Sequence, residues 1–160
     1  MEAWHDFFVA SAGAAAALMG LLFVGLSINL EKIITIAGLA DRSLIALVLL
    51  FVILIQTLLL LVPHESTGFA GIAILVIGLF AWFFIIMKDI MVVKKTEKEY
   101  MNNYLFKMTL NQIALLPYFA AGIPLLNGNI SGLYFLAVSI IFSFLKVSLD
   151  AWVLLVEINR

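Results

Sequence analysis

Five long apolar runs, separated by short polar breaks, dominate this chain of 160 residues. A helix that crosses the hydrocarbon core of a bilayer needs about 20 mostly apolar residues. The runs that meet this length cover about 4–30, 43–62, 67–93, 102–126 and 130–157. Membrane β-barrels instead use segments of about 10 residues with alternating polarity, and the sequence shows no such segments. The pattern predicts an all-α, polytopic transmembrane helix bundle with five spans, forming a single domain over 1–160.

Turn-forming and charged residues make up the later breaks, which are PHES at 63–66, KKTEKE at 94–99 and NGN at 127–129.

We interpret the first run as a retained span and not as a cleaved signal peptide. A signal peptide begins with basic residues, and its apolar stretch precedes the cleavage box. Here no Lys or Arg precedes the run, and most of it follows Ala10-Ser11-Ala12.

Composition supports a membrane location. Hydrophobic residues make up 65% of the chain and charged residues 12%, against about 45–50% and 25% in soluble domains. Nine Lys and Arg against ten Asp and Glu give a net charge of -1, and there is no Cys. These values exclude an ordinary soluble enzyme, a basic nucleic-acid binder, a disulfide scaffold and a thiolate metal site. We therefore expect an integral, multi-pass protein of the cell membrane, with membrane lipids as its immediate partners and no nucleic acid.

The basic residues fall on one side of a five-span bundle. That side holds Lys32, Arg42, Lys94, Lys95, Lys98 and Arg160, with Lys88 and Lys107 at the flanking helix ends. The opposite side, formed by the N-terminal tail and the breaks 63–66 and 127–129, holds no Lys or Arg. Short cytoplasmic loops carry an excess of Lys and Arg. The sequence thus predicts an N-terminus outside the cell and a cytoplasmic C-terminus.

Small residues are concentrated in the first span, where Gly13 and Ala17, and also Ala16 and Gly20, are four apart. Lipid gives no hydrophobic drive for helices to associate, so they bind where small residues let backbones approach closely. We predict that this span is central to the bundle or to a homo-oligomer; a pore-lining helix is the alternative.

The second span is rich in Leu, Ile and Val on nearly all of its faces, which we interpret as lipid-facing.

Polar residues interrupt the fourth and fifth spans. The fourth carries Lys107, Asn111 and Gln112, followed by Pro117 and Pro124, which predict either simple kinks or a broken helix that forms a site.

In the fifth span, Ser139, Ser143, Lys146 and Asp150 recur at helical spacing, so they share one face, and Lys146 can pair with Asp150. At about 1.5 Å per residue, this pair and the polar group of the fourth span reach a similar depth in the membrane. Two interpretations stay open: a polar intramembrane site that faces the bundle interior, or side chains that extend into the headgroups.

Catalytic and metal-binding motifs are absent from the sequence. It contains no Gly-rich phosphate loop, no nucleophile elbow and no metalloprotease helix. His5 and His64 are expected on the same side of the membrane, but we interpret them as solvated residues and not as metal ligands. We therefore expect no enzyme activity, no metal and no cofactor.

The stretch FFVASAGAAAALMGLLFVGLSINLEK at 7–32 and the final AWVLLVEINR at 151–160 resemble a family of small bacterial integral membrane proteins. Some members of that family are labelled modulators of the FtsH membrane protease. The resemblance implies a small polytopic protein of the bacterial inner membrane and assigns no functional residues.

Two functions from different classes follow from these patterns. The polar face of the fifth span and the Pro-containing fourth span favour an oligomeric channel or transporter. The small size and the small-residue first span favour a regulatory or partner-binding subunit for another membrane protein, such as a membrane protease.

The predicted topology can be tested by labelling single cysteines, because the natural chain has none. Ser66→Cys and Asn127→Cys should react with a membrane-impermeant thiol reagent in intact cells, and Thr96→Cys only after permeabilisation. Labelling of Thr96→Cys in intact cells would contradict the orientation.

Overall fold

The computed structural model describes residues 2–36, 38–63, 67–95 and 101–158. After one 3-10 turn at Glu2–Trp4, the described elements are the α-helices α1 His5–Ile28, α2 Leu30–Thr35, α3 Leu39–Leu61, α4 Thr67–Lys95, α5 Met101–Leu126 and α6 Gly132–Ile158. Five of them, all except α2, are long and apolar enough to cross a membrane. The predicted all-helical architecture with five membrane-spanning candidates is confirmed. Positions 64–66 and 96–99, within two of the predicted breaks, lie outside the described residues.

The second spanning helix starts earlier than the sequence predicted, at Leu39 and not near residue 43. Gly38 precedes it with φ 79°, a left-handed conformation that glycine adopts at little cost. The backbone N–H of Arg42 then donates to the Gly38 carbonyl over 3.1 Å. The charged residues Asp41 and Arg42 therefore belong to the first turn of α3 and not to a loop.

The prediction that this helix faces lipid is wrong, because α3 lies inside the bundle, packed against α1, α4 and α6. Its share of buried residues is the highest of the five spans, 56% against 33% for α1. Leu49, Leu50 and Ile53 are fully buried. An all-apolar helix suits lipid and a helix neighbour equally well, so composition alone could not place it.

The four small residues of α1 that the sequence analysis singled out do not pack within the chain. The helix packs mainly on α3 and buries Phe8, Ala12, Ala15 and Met19, whereas Gly13, Ala16, Ala17 and Gly20 lie exposed on its other side. A Cβ added at Gly13 or Gly20 would meet nothing within 4 Å. The expected central position of α1 in the bundle is therefore wrong for the single chain. A contact of these four residues with a second chain stays a prediction.

Glycine permits a close backbone approach between α4 and α5. A Cβ on Gly71 would sit 2.7 Å from the Leu126 nitrogen and 3.0 Å from the Gly122 carbonyl oxygen. Further along the same pair, Gly78 faces Tyr118, and Trp82 of α4 bonds Gln112 of α5. The two helices thus run antiparallel in one continuous register, which the glycines allow.

This register predicts a contrast between two glycines on α4. Gly71→Ala should lower the free energy of unfolding by about 1–3 kcal/mol, because the added methyl meets backbone that cannot move aside. Gly68→Ala, where a Cβ meets nothing within 4 Å, should leave stability unchanged or raise it by roughly 0.5–1 kcal/mol. Unfolding in mixed micelles of rising SDS content would measure both. Equal stabilities would show that α4 and α5 do not pack at Gly71.

Candidate intramembrane polar site

A group of charged and polar side chains lies at the end of the bundle where α3 and α5 begin and α4 and α6 finish. Its core, called the polar cluster below, consists of Asp89 from α4, Tyr104 and Asn111 from α5, and Lys146 and Asp150 from α6. Four helix ends meet here because neighbouring spans are antiparallel, so residues far apart in sequence reach the same depth.

Asp89 is the most deeply buried charged group of the described chain, with 0% of its surface exposed. One carboxylate oxygen accepts a hydrogen bond from the Tyr104 hydroxyl over 2.9 Å. The Asn111 amide Nδ2 donates to both carboxylate oxygens, at 3.1 and 3.3 Å. Two neutral donors from α5 thus hold a carboxylate of α4, a helix long and apolar enough to cross a membrane.

Sequence analysis missed Asp89. It directly follows Lys88, near the charged end of its helix. Ile85 and Val92, at i−4 and i+3, are 0% and 3% exposed and share its face of α4. An aspartate placed between apolar residues at helical spacing was the available indication that it is buried.

Lys146 and Asp150 form the ion pair that their spacing predicted. Lys146 is only 6% exposed, so its side chain is enclosed by the protein. The side chain of Asp150 is 18% exposed. A second ion pair nearby joins α4 to α3, with 2.9 Å between Lys88 Nζ and Asp41 Oδ1.

A small cavity of about 20 Å³ opens beside the cluster. Its polar lining residues are Arg42, Tyr104, Lys107, Asn111, Lys146 and Asp150. The volume has room for about one water molecule. Asn111, which is 3% exposed, has its Oδ1 buried without a hydrogen-bond partner among the described residues.

The predicted polar layer is therefore assembled in part. Lys107, Asn111, Lys146 and Asp150 meet at the cavity. Gln112 instead accepts a hydrogen bond of 2.8 Å from the Trp82 indole, because consecutive residues of a helix point about 100° apart.

Ser139 and Ser143 precede Lys146 on α6 and face α5. Ser139 donates to the Ala114 carbonyl over 2.8 Å, and the Ser143 and Tyr118 hydroxyls are 3.5 Å apart. Both serines are fully buried. They join two helices and are not part of the cavity.

Within the part of the chain that the structure describes, no three His, Asp or Glu side chains are grouped so that they could hold a metal ion. His64, one of the two histidines, lies outside the described residues.

No family model, curated protein or solved structure matches this chain. The resemblance to small bacterial membrane proteins stays a prediction.

The buried pair predicts unequal effects of single and double substitutions. Asp150→Ala leaves the Lys146 ammonium without its bonded partner and should lower the free energy of unfolding by about 3 kcal/mol or more. Lys146→Met combined with Asp150→Leu removes both charges and should recover part of that loss. SDS unfolding of the purified variants measures each effect.

Lys32→Met is the control, because it removes the same charge from an exposed position on α2 and should change stability little. Small, additive effects of about 1 kcal/mol or less for Lys146→Met and Asp150→Ala would show that the pair is solvated, contrary to its burial.

Proposed function

We propose that this chain is a non-enzymatic integral membrane protein of the channel or transporter class, and that the polar cluster is its intramembrane ion site. The observation that carries the proposal is the fully buried Asp89 carboxylate beside the Lys146–Asp150 pair, inside helices long enough to span a membrane. Ionisable residues in such segments are costly, and they commonly mark ion or proton pathways.

A purely structural role explains the cluster less well. A buried ion pair contributes little net stability compared with apolar residues that fill the same space. Within the polar cluster, charge-assisted bonds join α4 to α5 and pair Lys146 with Asp150 inside α6. The bundle also packs through apolar side chains such as Leu115, Leu136 and Ile140. The charges therefore favour a function over simple reinforcement.

Passage across the membrane would need more than this single conformation. Beyond the cavity, the interior is filled by fully buried apolar side chains, among them Leu50, Ile53, Leu115 and Leu136. A transported ion would pass only after a conformational change or along an interface between copies of the chain. A homo-oligomer is accordingly part of the proposal.

We also propose that the N-terminus lies outside and the C-terminus in the cytoplasm. The one-sided distribution of Lys and Arg supports this orientation. The cavity and the polar cluster would then open toward the cytoplasmic side of a bacterial inner membrane.

Ion flux into proteoliposomes tests the proposal. Purified protein in liposomes should dissipate an imposed membrane potential, followed with a voltage-sensitive dye, in media containing potassium, sodium or only buffered protons as the permeant cation. Asp89→Asn should reduce the rate at least several-fold, because it removes the charge at the site and retains its shape. Lys32→Met should keep the natural rate. Folded protein that behaves like empty liposomes in all three media would contradict the proposal.

The exposed small-residue face of α1 favours a second candidate, a regulatory subunit that binds another membrane protein such as a membrane protease. Small residues facing lipid allow a partner helix to approach closely, and Gly13 leaves open space there. Gly13→Leu separates the two candidates in cells: it should release a cross-linked partner of different mass if the chain is a partner-binding subunit.

A further inference from the structure

We propose that the ion taken up at the polar cluster is a proton, that Asp89 is its acceptor, and that the Tyr104 hydroxyl relays it between the cavity and Asp89. This inference deepens the proposed function and rests on it for its biological meaning. It follows from the charges around Asp89, from the size of the cavity and from the hydrogen bonds that connect them.

Asp89 has no hydrogen-bonded cation among the described residues. Lys88, its neighbour on α4, is bonded to Asp41 of α3, and Lys146 of α6 is bonded to Asp150. Lys146 attracts the Asp89 charge while Asp150 repels it, so the pair gives Asp89 only partial compensation. Arg42 from α3 and Lys107 from α5 line the neighbouring cavity.

Neutral donors are the direct partners of Asp89, the Tyr104 hydroxyl and the Asn111 amide. An ionised carboxylate in such a desolvated place is costly, and binding a proton removes that cost. A carboxylate held by neutral groups can change its charge without breaking an ion pair. Asp89 is therefore the group in the cluster best suited to exchange a proton.

The cavity selects against larger ions. Its volume of about 20 Å³ holds about one water molecule, whereas a metal ion keeps several oxygen ligands in its coordination shell. Arg42, Lys107 and Lys146 line the cavity with a single carboxylate, Asp150. This lining opposes a resident metal cation, while a proton needs only a chain of hydrogen bonds.

Tyr104 connects the cavity to Asp89, because it lines the former and donates to the latter over 2.9 Å. Asn111, whose amide nitrogen also donates to Asp89, lines the same cavity.

In the uptake step, a water molecule in the cavity transfers a proton to the Tyr104 oxygen while Tyr104 transfers its own proton to Asp89. The water molecule regains a proton from the aqueous phase, Tyr104 stays neutral and Asp89 becomes a carboxylic acid. The reverse step releases the proton to the same cavity.

Infrared difference spectroscopy of the full chain in liposomes tests this inference without measuring transport. Lowering the pH from about 9 to 4 should produce the carbonyl band of a protonated carboxyl in an apolar setting. The band should vanish in Asp89→Asn and shift in Asp89→Glu, which retains a carboxyl group if Asp89→Asn fails to fold. Glu31→Gln, a change at an exposed carboxyl, should leave it unchanged.

Tyr104→Phe should retain the band, displaced in frequency by the lost hydrogen bond, and slow its appearance after a pH jump at least several-fold. An unchanged rate would overturn the relay, and an Asp89 that stays ionised throughout the range would overturn the whole inference. The band without any flux in the liposome assay would leave the proton site intact and remove the transport proposal. Flux of sodium or potassium without the band would leave the transport proposal intact and overturn the proton site.

Discussion

Polar side chains inside an apolar helix bundle can bond only to groups of the protein, because hydrocarbon offers no partner. Most of them do so in one of two ways. The Thr57 hydroxyl donates to the Ile53 carbonyl of its own helix over 2.7 Å. Asp89 and Ser139 instead bond groups of a neighbouring helix. Gln56 differs, since both polar atoms of its buried amide lack a partner among the described residues. The cross-helix bonds are the ones that fix which helices lie together.

The antiparallel register of α4 and α5 places cross-helix contacts along the whole length of the two helices. Gly71 lets the two backbones approach at one end, the Trp82–Gln112 bond lies midway, and Asp89 meets Asn111 at the other end. Each step along α4 is matched by an equal step back along α5. A shift of one helical turn at the glycines would move Asp89 away from both of its donors. Packing at one face of the membrane and polar chemistry at the other are therefore coupled.

Because of that coupling, the proposed proton exchange at Asp89 would affect how α4 packs against α5. Protonation of Asp89 would weaken its charge-assisted bonds to Tyr104 and Asn111, which are among the polar contacts between α4 and α5. Lys146 would then lose a nearby negative charge and depend on Asp150 alone. A single proton thus alters the contacts between α4 and α5 and the charge balance around Lys146 of α6.

The sequence alone determined what depends on composition and on local spacing. The length of the apolar runs predicted five membrane-spanning helices, and the four-residue interval predicted the Lys146–Asp150 pair, because both properties belong to single helices. Only the tertiary structure decided which faces are covered. In the structure, α3 is buried, whereas Gly13 and Ala17 of α1 are exposed. Gln112 bonds Trp82, and Asp89 bonds Asn111. The physical reason is that lipid and protein interior are equally apolar, so hydrophobicity cannot distinguish a lipid-facing residue from a buried one. Which polar groups meet depends on the register between helices, which no single helix encodes.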